Sequence, residues 1–297
     1  MIPLIGSACQ GSLGVSQLPR TWWKAVTRAV GLLDEAYPDD SGGLDTWCLQ
    51  AVGLDVDETY AYLRAELPDY LAFEKWVLQK KAGALPAAPI ARYNEIVQYR
   101  RHIRPHKITE TYADIGFDPE VDTYTSALLL NTLQDWHLFH ARDLGAADAP
   151  PAGLPPLVSS LDVGPLGVLQ LARTWQKSLL DAEGLLHPDY PAFSSGLDQG
   201  VLDALGLDRD AVRAYLYDER PTYMDLENWI SQQVGEPDRV RVDAFHARLL
   251  EREHPQAKRE GIHALTGCDP ALKKGVLLNH LEDWRYAYDV AIAPHTS

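Results

Sequence analysis

The chain has 297 residues, of which 46% are hydrophobic and 23% are charged. This composition is rich enough in apolar residues to bury a core and is not that of a disordered chain. The net charge of −15 argues against nucleic acid, since binding to phosphates depends on Lys and Arg, and against anionic membrane surfaces. A small molecule or a protein is left as the expected partner.

Cysteine usage and hydropathy indicate the compartment. The three cysteines, Cys9, Cys48 and Cys268, are odd in number and far apart, which favours a reducing environment over a disulfide framework. No apolar run is long enough to span a membrane. The first residues lack the basic start and apolar stretch of a secretion signal. The sequence therefore predicts a soluble, cytoplasmic protein.

One internal duplication sets the organisation of the chain. Residues 13–79 and 166–232 align without a gap at an offset of 153, with 34 identical pairs in 67. A period of this length matches a domain rather than a solenoid repeat. We predict a first helical domain over 13–143 and a second over 166–293. The proline-rich segment 144–165 is predicted to be an extended linker between them.

In chain order, each half reads as a series of helices. Trp22, Val26 and Ala29 form an apolar stripe that returns at Trp175, Leu179 and Ala182, as expected of a core-facing helix. Further helices are predicted over 44–52, 57–66, 69–81 and 90–101. A long helix that begins near residue 118, or near residue 269 in the second copy, is predicted to end each half.

Alternating strand patterns are nearly absent, so the predicted class is all-α, with two homologous helical domains. Duplications of this kind commonly fuse a former homodimer, whose twofold interface is self-complementary. We therefore expect pseudo-twofold symmetry between the halves and a monomer that mimics a homodimer.

Several short elements carry a resemblance. They are Leu18-Pro19-Arg20 followed by Lys24, Gly43-Leu44-Asp45 followed by Gly53-Leu54-Asp55, and Glu74 followed by Trp76. In this order they resemble a bacterial family of small helical domains of unknown function. The resemblance implies a helical fold and a bacterial origin, and it implies no activity. The chain departs from the family just before Lys24, where Trp23 replaces an expected acidic residue.

The usual catalytic signatures are missing from the sequence. There is no Gly-x-Ser-x-Gly element, no glycine-rich phosphate loop and no cysteine with a matching histidine pattern. Asp135, His137, His140 and Asp143 have a spacing that suits a metal site, but the second copy does not keep it. We therefore predict neither a metal nor a cofactor.

The remaining candidates are polar residues that both halves share. Arg20 and Lys24, with Arg173 and Lys177 in the second copy, are predicted to grip an anionic group of a ligand, beside Trp22 and Tyr70. Glu74 and Asp45 are candidate proton carriers, because burial can raise a carboxyl pKa. The alternative is structural: Arg20 and Lys24 would pair with Asp135 or Glu74, while Asp45, Asp55 and Asp208 would cap helices.

Two functions are compatible with these observations, and whether the protein is an enzyme stays open. The first is a small-molecule-binding protein or enzyme that acts on a polar or anionic metabolite in a cleft lined by residues of the repeats. The second is a non-catalytic protein–protein interaction module with an acidic surface. The second predicts no deep polar pocket and an exposed patch around Trp23 or Trp47, two tryptophans that the second copy lacks.

Overall fold

A computed structural model describes residues 1–144 and 150–296 of the chain. These residues form fourteen α-helices and no β-strand, which confirms the all-α class. None of the described helices combines the length and the apolar character needed to cross a membrane.

The first half contains seven helices. They are α1 (Leu18–Ala29), α2 (Leu44–Val52), α3 (Val56–Glu66), α4 (Tyr70–Lys80), α5 (Ala87–Tyr99), α6 (Pro105–Ile115) and α7 (Ala127–Leu138), and a π-helical turn at Phe139–Asp143 follows α7. The second half contains seven more: α8 (Leu171–Ala182), α9 (Leu197–Leu205), α10 (Arg209–Ala214), α11 (Tyr223–Val234), α12 (Arg239–Glu251), α13 (Gln256–Thr266) and α14 (Gly275–Ala291).

The predicted starts of the last helices were wrong. Helix α7 begins at Ala127 and α14 at Gly275, while the Asp118-Pro119 pair lies in a turn. The sequence analysis also missed α6 and α13. Helix α6 has Pro105 at its first position, where proline is tolerated because its missing N–H would have no partner in the helix.

Two predicted helix caps are confirmed. The Asp55 carboxylate accepts a hydrogen bond from the amide of Glu58 at the start of α3. Asp208 does the same with the amide of Ala211 at the start of α10. Each aspartate satisfies an amide that has no partner within its helix.

Aromatic side chains join the two halves in a buried core. The ring of Tyr70 lies 4.6 Å from that of Trp284, and the ring of Tyr223 lies 4.4 Å from that of Trp136. Tyr70 and Tyr223 hold the same position in the two repeats. The halves therefore contact each other through reciprocal tyrosine–tryptophan pairs.

The segment predicted to be a linker is only partly described, since residues 145–149 lie outside the described residues. From Pro150 to Pro165 the chain has no helix. Leu154, Leu157 and Val158 are nevertheless buried in the hydrophobic core. This part of the segment has turns at 152–153 and 160–161, and it packs against the hydrophobic core.

Candidate functional site

Two buried ion pairs organise the interior of the first half. The Arg20 guanidinium on α1 lies 2.7 Å from an oxygen of Asp135 on α7, and it also donates to the backbone carbonyls of Pro3 and Ile5. The Tyr37 hydroxyl donates to Asp135 Oδ1 at 2.6 Å. These contacts tie α1, α7 and the N-terminal segment together.

The second pair joins Lys24 to Asp45, with 2.7 Å between Nζ and Oδ2. Asp45 also accepts hydrogen bonds from Gln17 Nε2 at 2.8 Å and Thr21 Oγ1 at 2.9 Å. Burial opposes ionisation of this carboxyl, but the Lys24 charge and the hydrogen bonds outweigh burial and lower its pKa. Gln17 itself has a φ of 68°, an unfavourable conformation for a non-glycine residue that its bond to Asp45 helps to hold.

The second half repeats both pairs. Arg173 binds Asp283 through two hydrogen bonds of 2.8 and 3.0 Å, and Lys177 binds Asp198. The structural alternative is thus confirmed for Arg20 in its Asp135 form. It was wrong for Lys24, which pairs with Asp45 and not with Asp135 or Glu74. The helix-cap interpretation of Asp45 was wrong: Gly43 is the cap residue of α2, and the Asp45 side chain is directed to Lys24 and its neighbours instead.

An open cleft of about 720 Å³ lies next to the two ion pairs of the first half, and we call it the basic cleft. It lies between the loop 37–44, the segment 100–107, and helices α1 and α7. Two carboxylates, Asp45 and Asp135, line it. Six cationic side chains also line it: Arg20, Lys24, Arg100, Arg101, Arg104 and Lys107. The cleft is therefore positive in a chain whose net charge is −15.

The cations of the basic cleft differ in their partners. Arg20 and Lys24 are neutralised by the buried carboxylates, and Lys107 pairs with the exposed Glu110 at 2.7 Å. Arg100, Arg101 and Arg104 form no ion pair with any carboxylate of the described residues. Arg100 is half-buried, and burial lowers the pKa of its guanidinium. Partial burial of a cation that has no ionic partner is unfavourable, so a bound anion would stabilise the Arg100 guanidinium.

The second half differs from the first at two positions that line this cleft. Arg101 and Glu253 form the same isolated backbone bridge in the two halves, to Ser126 and Lys274 respectively, so a cation is replaced by an anion. Trp47 is replaced by Gly200, where an added Cβ would lie 3.0 Å from the ring of Phe245. A pocket of about 260 Å³ lies beside Gly200 and Arg252, and neither Arg173 nor Lys177 lines it.

Several predicted site residues lie away from the basic cleft. Trp22 is fully buried and donates its indole N–H to the carbonyl of Pro68 at 2.8 Å. Glu74 is buried beside Tyr70 and accepts from the amide of Leu13 at 3.2 Å, and burial raises its pKa. None of these three side chains lines the basic cleft, so the structure separates them from Arg20 and Lys24. Arg173 and Lys177 occupy the matching interior of the second half.

The two tryptophans found only in the first half have different environments. Trp23 is fully buried, whereas Trp47 is 44% exposed and lines the basic cleft. An exposed indole beside cationic side chains provides a flat wall against which a ligand can pack.

The histidine-containing motif on the last helix of the first half is dispersed. Asp135 binds Arg20, His140 Nε2 lies 2.7 Å from the carbonyl oxygen of Arg220, and Asp143 accepts from the amide of Ile2 at 2.8 Å. Across residues 1–144 and 150–296, no group of three or more His, Cys, Asp or Glu side chains is arranged to hold a metal ion.

Sequence reasoning missed the three unpaired arginines of the basic cleft. The signal was present, because the run from Arg100 to Lys107 is rich in Arg, His and Lys within an acidic chain. Comparison with known proteins adds no further guide: no family model, curated protein or solved structure matches the chain.

Proposed function

We propose that the first half of this protein binds a small anionic metabolite, bearing phosphate or carboxylate groups, in the basic cleft. The observation that carries the proposal is the set of three guanidinium groups, Arg100, Arg101 and Arg104, which have no carboxylate partner among the described residues. Arginine presents a planar fork of donors that matches a carboxylate or phosphate group.

The roles of the predicted ligand-binding residues change in this account. Arg20 and Lys24 are already satisfied by Asp135 and Asp45, so they form the floor of the cleft and give it little net charge. The segment from Arg100 to Lys107 supplies the charge that selects the ligand. Trp47 supplies an apolar wall for the rest of the molecule.

We further propose that the halves are pseudo-twofold copies of one domain and that the chain is a monomer. Two pairs of contacts support this. Tyr70 contacts Trp284 as Tyr223 contacts Trp136. The Tyr288 hydroxyl donates to the carbonyl of Leu67 at 2.9 Å, and His140, at the position matching Tyr288, contacts the carbonyl of Arg220. Membership of the bacterial helical family stays a prediction.

In this arrangement the second half supports the first. It keeps the buried ion pairs, which serve the fold, and it lacks Arg101 and Trp47, which serve the ligand. An interaction module is less well supported, since Trp23 is buried and Trp47 lines a cleft of the size of small-molecule sites.

Isothermal titration calorimetry of the full chain tests the proposal, with pyrophosphate and citrate as anionic probes and glucose as a neutral one. We expect saturable binding of at least one anion and none of glucose. Arg101→Glu, which installs the residue of the second half, should weaken anion binding by about tenfold or more, as expected for the loss of a charged hydrogen bond.

Arg92→Glu is the matched control, because Arg92 is an exposed arginine of α5 that does not line the basic cleft. It makes the same change in net charge and should leave anion binding within about twofold, since exposed charges separated from the site are largely screened by salt. Equal weakening by the two variants, or no binding of either anion to the unmodified chain, would contradict the proposal.

A further inference from the structure

A second cavity lies where the two halves meet, away from the basic cleft. It has a volume of about 660 Å³, and we call it the central cavity. The N-terminal segment, the segment 159–165, α7 and α14 enclose it. Apolar side chains form most of its wall, among them Leu128, Leu129, Leu161, Val163, Val276 and Leu277.

One end of the central cavity is polar. Cys9, Ser159, Asp162 and His280 line it, and all four are buried. The Ser159 amide donates to Asp162 Oδ2 at 2.9 Å, and the Ser159 hydroxyl lies 2.7 Å from His280 Nε2. Burial lowers the pKa of His280 to about 4, so its imidazole is neutral. The Ser159 oxygen accepts a hydrogen bond from the Leu161 amide at 3.0 Å, and the Ser159 hydroxyl donates one to Nε2 of His280.

The polar end of the central cavity is asymmetric, because the two repeats contribute different residues to it. Cys9 and Asp162 occupy equivalent positions, 153 residues apart, and so do Gly6 and Ser159. A Cβ on Gly6 would lie 2.7 Å from Asp162 Oδ1, so glycine at this position leaves room for the carboxyl group. A symmetric homodimer would place the same residue on both sides of the cavity, whereas the fused chain supplies a single carboxyl group.

That carboxyl group has no cation of its own. Asp162 Oδ1 accepts no hydrogen bond from the described residues, and Asp162 takes part in none of their ion pairs. The nearby guanidinium groups of Arg20 and Arg173 are bound to Asp135 and Asp283. An ionised carboxylate buried without a partner is unfavourable, and it lies at the end of a cavity large enough for a ligand.

We propose that the central cavity binds an apolar molecule that carries one protonated amine. The ammonium group forms an ion pair with Asp162, with the Ser159 hydroxyl beside it. The hydrocarbon part lies along the leucine and valine side chains of the wall. This site is distinct from the basic cleft in both its charge and its position.

The pH dependence of binding follows from the groups that surround Asp162. Burial raises the pKa of Asp162 to about 7. The charged groups that face Asp162 are Arg20 on α1, Arg173 on α8 and Asp135 on α7. Cys9, whose thiol pKa burial raises, and His280 stay neutral. Because an alkylamine stays protonated to about pH 10, its affinity should increase from pH 6 to pH 8 as Asp162 ionises.

Calorimetric titration of the full chain with n-octylammonium chloride tests the proposal, with n-octanoate and n-octanol as probes of the same length. We expect the amine to bind best, with an affinity that increases with pH. Asp162→Asn should weaken amine binding by about tenfold or more and leave octanol binding unchanged. This variant should stay folded, because it removes a buried charge.

Asp243→Asn serves as the control, since Asp243 is exposed on α12 and forms no ion pair with any residue that the structure describes. It should leave amine binding unchanged. If octanoate binds as tightly as the amine, the carboxylate of octanoate would be assigned to Lys274, which also lines the cavity, and the proposal would be wrong. The absence of saturable amine binding would also contradict the proposal. So would an Asp162→Asn variant that binds the amine as tightly as the unmodified chain does.

Discussion

Arg101 and Glu253 occupy the same point of the fold in the two halves and carry opposite charges. Each residue forms an isolated backbone bridge to the residue before its final helix, so the backbone is retained while the side chain is exchanged. Arg101 lines the basic cleft of the first half, whereas Glu253 does not line the pocket of about 260 Å³ beside Gly200 and Arg252 in the second half. The halves therefore share a scaffold and differ in what they can bind.

The equivalent arginines Arg100 and Arg252 should differ in function. Arg100→Ala removes a half-buried, unpaired cation from the basic cleft and should weaken pyrophosphate or citrate binding by about tenfold. Arg252→Ala makes the same change in the second half and should leave the affinity unaltered. Calorimetry of the two variants checks this expectation, which fails if both variants, or neither, lose affinity.

The buried lysine–aspartate pairs should contribute more to stability than an exposed pair. Asp45→Asn leaves Lys24, which is 4% exposed, buried opposite a neutral amide and should lower the free energy of unfolding by about 3–5 kcal/mol. Asp198→Asn should do the same at Lys177. Asp39→Asn, which breaks the partly exposed pair with Arg64, should cost about 1 kcal/mol or less.

Urea denaturation followed by circular dichroism measures all three variants. A loss at Asp45 no larger than the loss at Asp39 would show that the buried pair does not hold α1 to α2. A loss at Asp45 without a similar loss at Asp198 would show that the two halves do not use the pair in the same way.

Glu227 should make stability depend on pH with a defined sign. Burial raises its pKa to about 7, so the folded chain binds a proton that the unfolded chain releases above about pH 4.3. The stabilisation from this protonation is complete below about pH 4 and is lost as the pH rises to about 7. Glu227→Gln keeps an acceptor for the amide of Leu166 and removes the ionisation.

The variant should therefore be more stable than the unmodified chain at pH 8, by up to about 3 kcal/mol, and the difference should shrink towards pH 5. Urea denaturation at several pH values measures it. Glu236→Gln, a change at an exposed glutamate, should show no such trend. A difference that grows as the pH falls would contradict the assignment.

The reciprocal tyrosine–tryptophan contacts should make the halves unfold together. Trp136→Ala removes a fully buried ring that packs on Tyr223 of the other half and should cost about 3–5 kcal/mol. Trp284→Ala should have a similar effect through Tyr70. Unfolding of the unmodified chain should follow one transition by both fluorescence and circular dichroism, whereas two separate transitions would show that the halves are independent.

Sequence periodicity predicted the scaffold well, and for a physical reason. The repeated stripe from Trp22 to Ala29 and the apolar spacing in α2, α3 and α4 reflect which side of each helix is buried, and burial dominates helix formation. The start of α7 was missed because a loop precedes it and Asp118-Pro119 imitates a helix start. Partner choice was predicted only in part: Asp135 was one of two expected partners of Arg20, 115 residues away, but the pairing of Lys24 with Asp45 was not predicted.

The candidate site was harder to predict from the sequence, because the polar residues that are identical in the two repeats are those that stabilise the fold. Arg20, Lys24 and Asp45 are repeated, and all three prove to be buried ion-pair partners. The unpaired cations Arg101 and Arg104 have no equivalent cation in the second half, so a search for shared residues passes over them. Two of the three arginines that carry the proposed anion site therefore lie at positions where the copies differ.

Hydrogen–deuterium exchange of the full chain, with and without saturating pyrophosphate, shows whether the basic cleft is the anion site. We expect slower exchange in the segments 37–47 and 100–107 of the first half, with no change at the matching segments 190–200 and 252–258. Protection of both halves, or protection confined to the second, would contradict the assignment of ligand binding to the basic cleft.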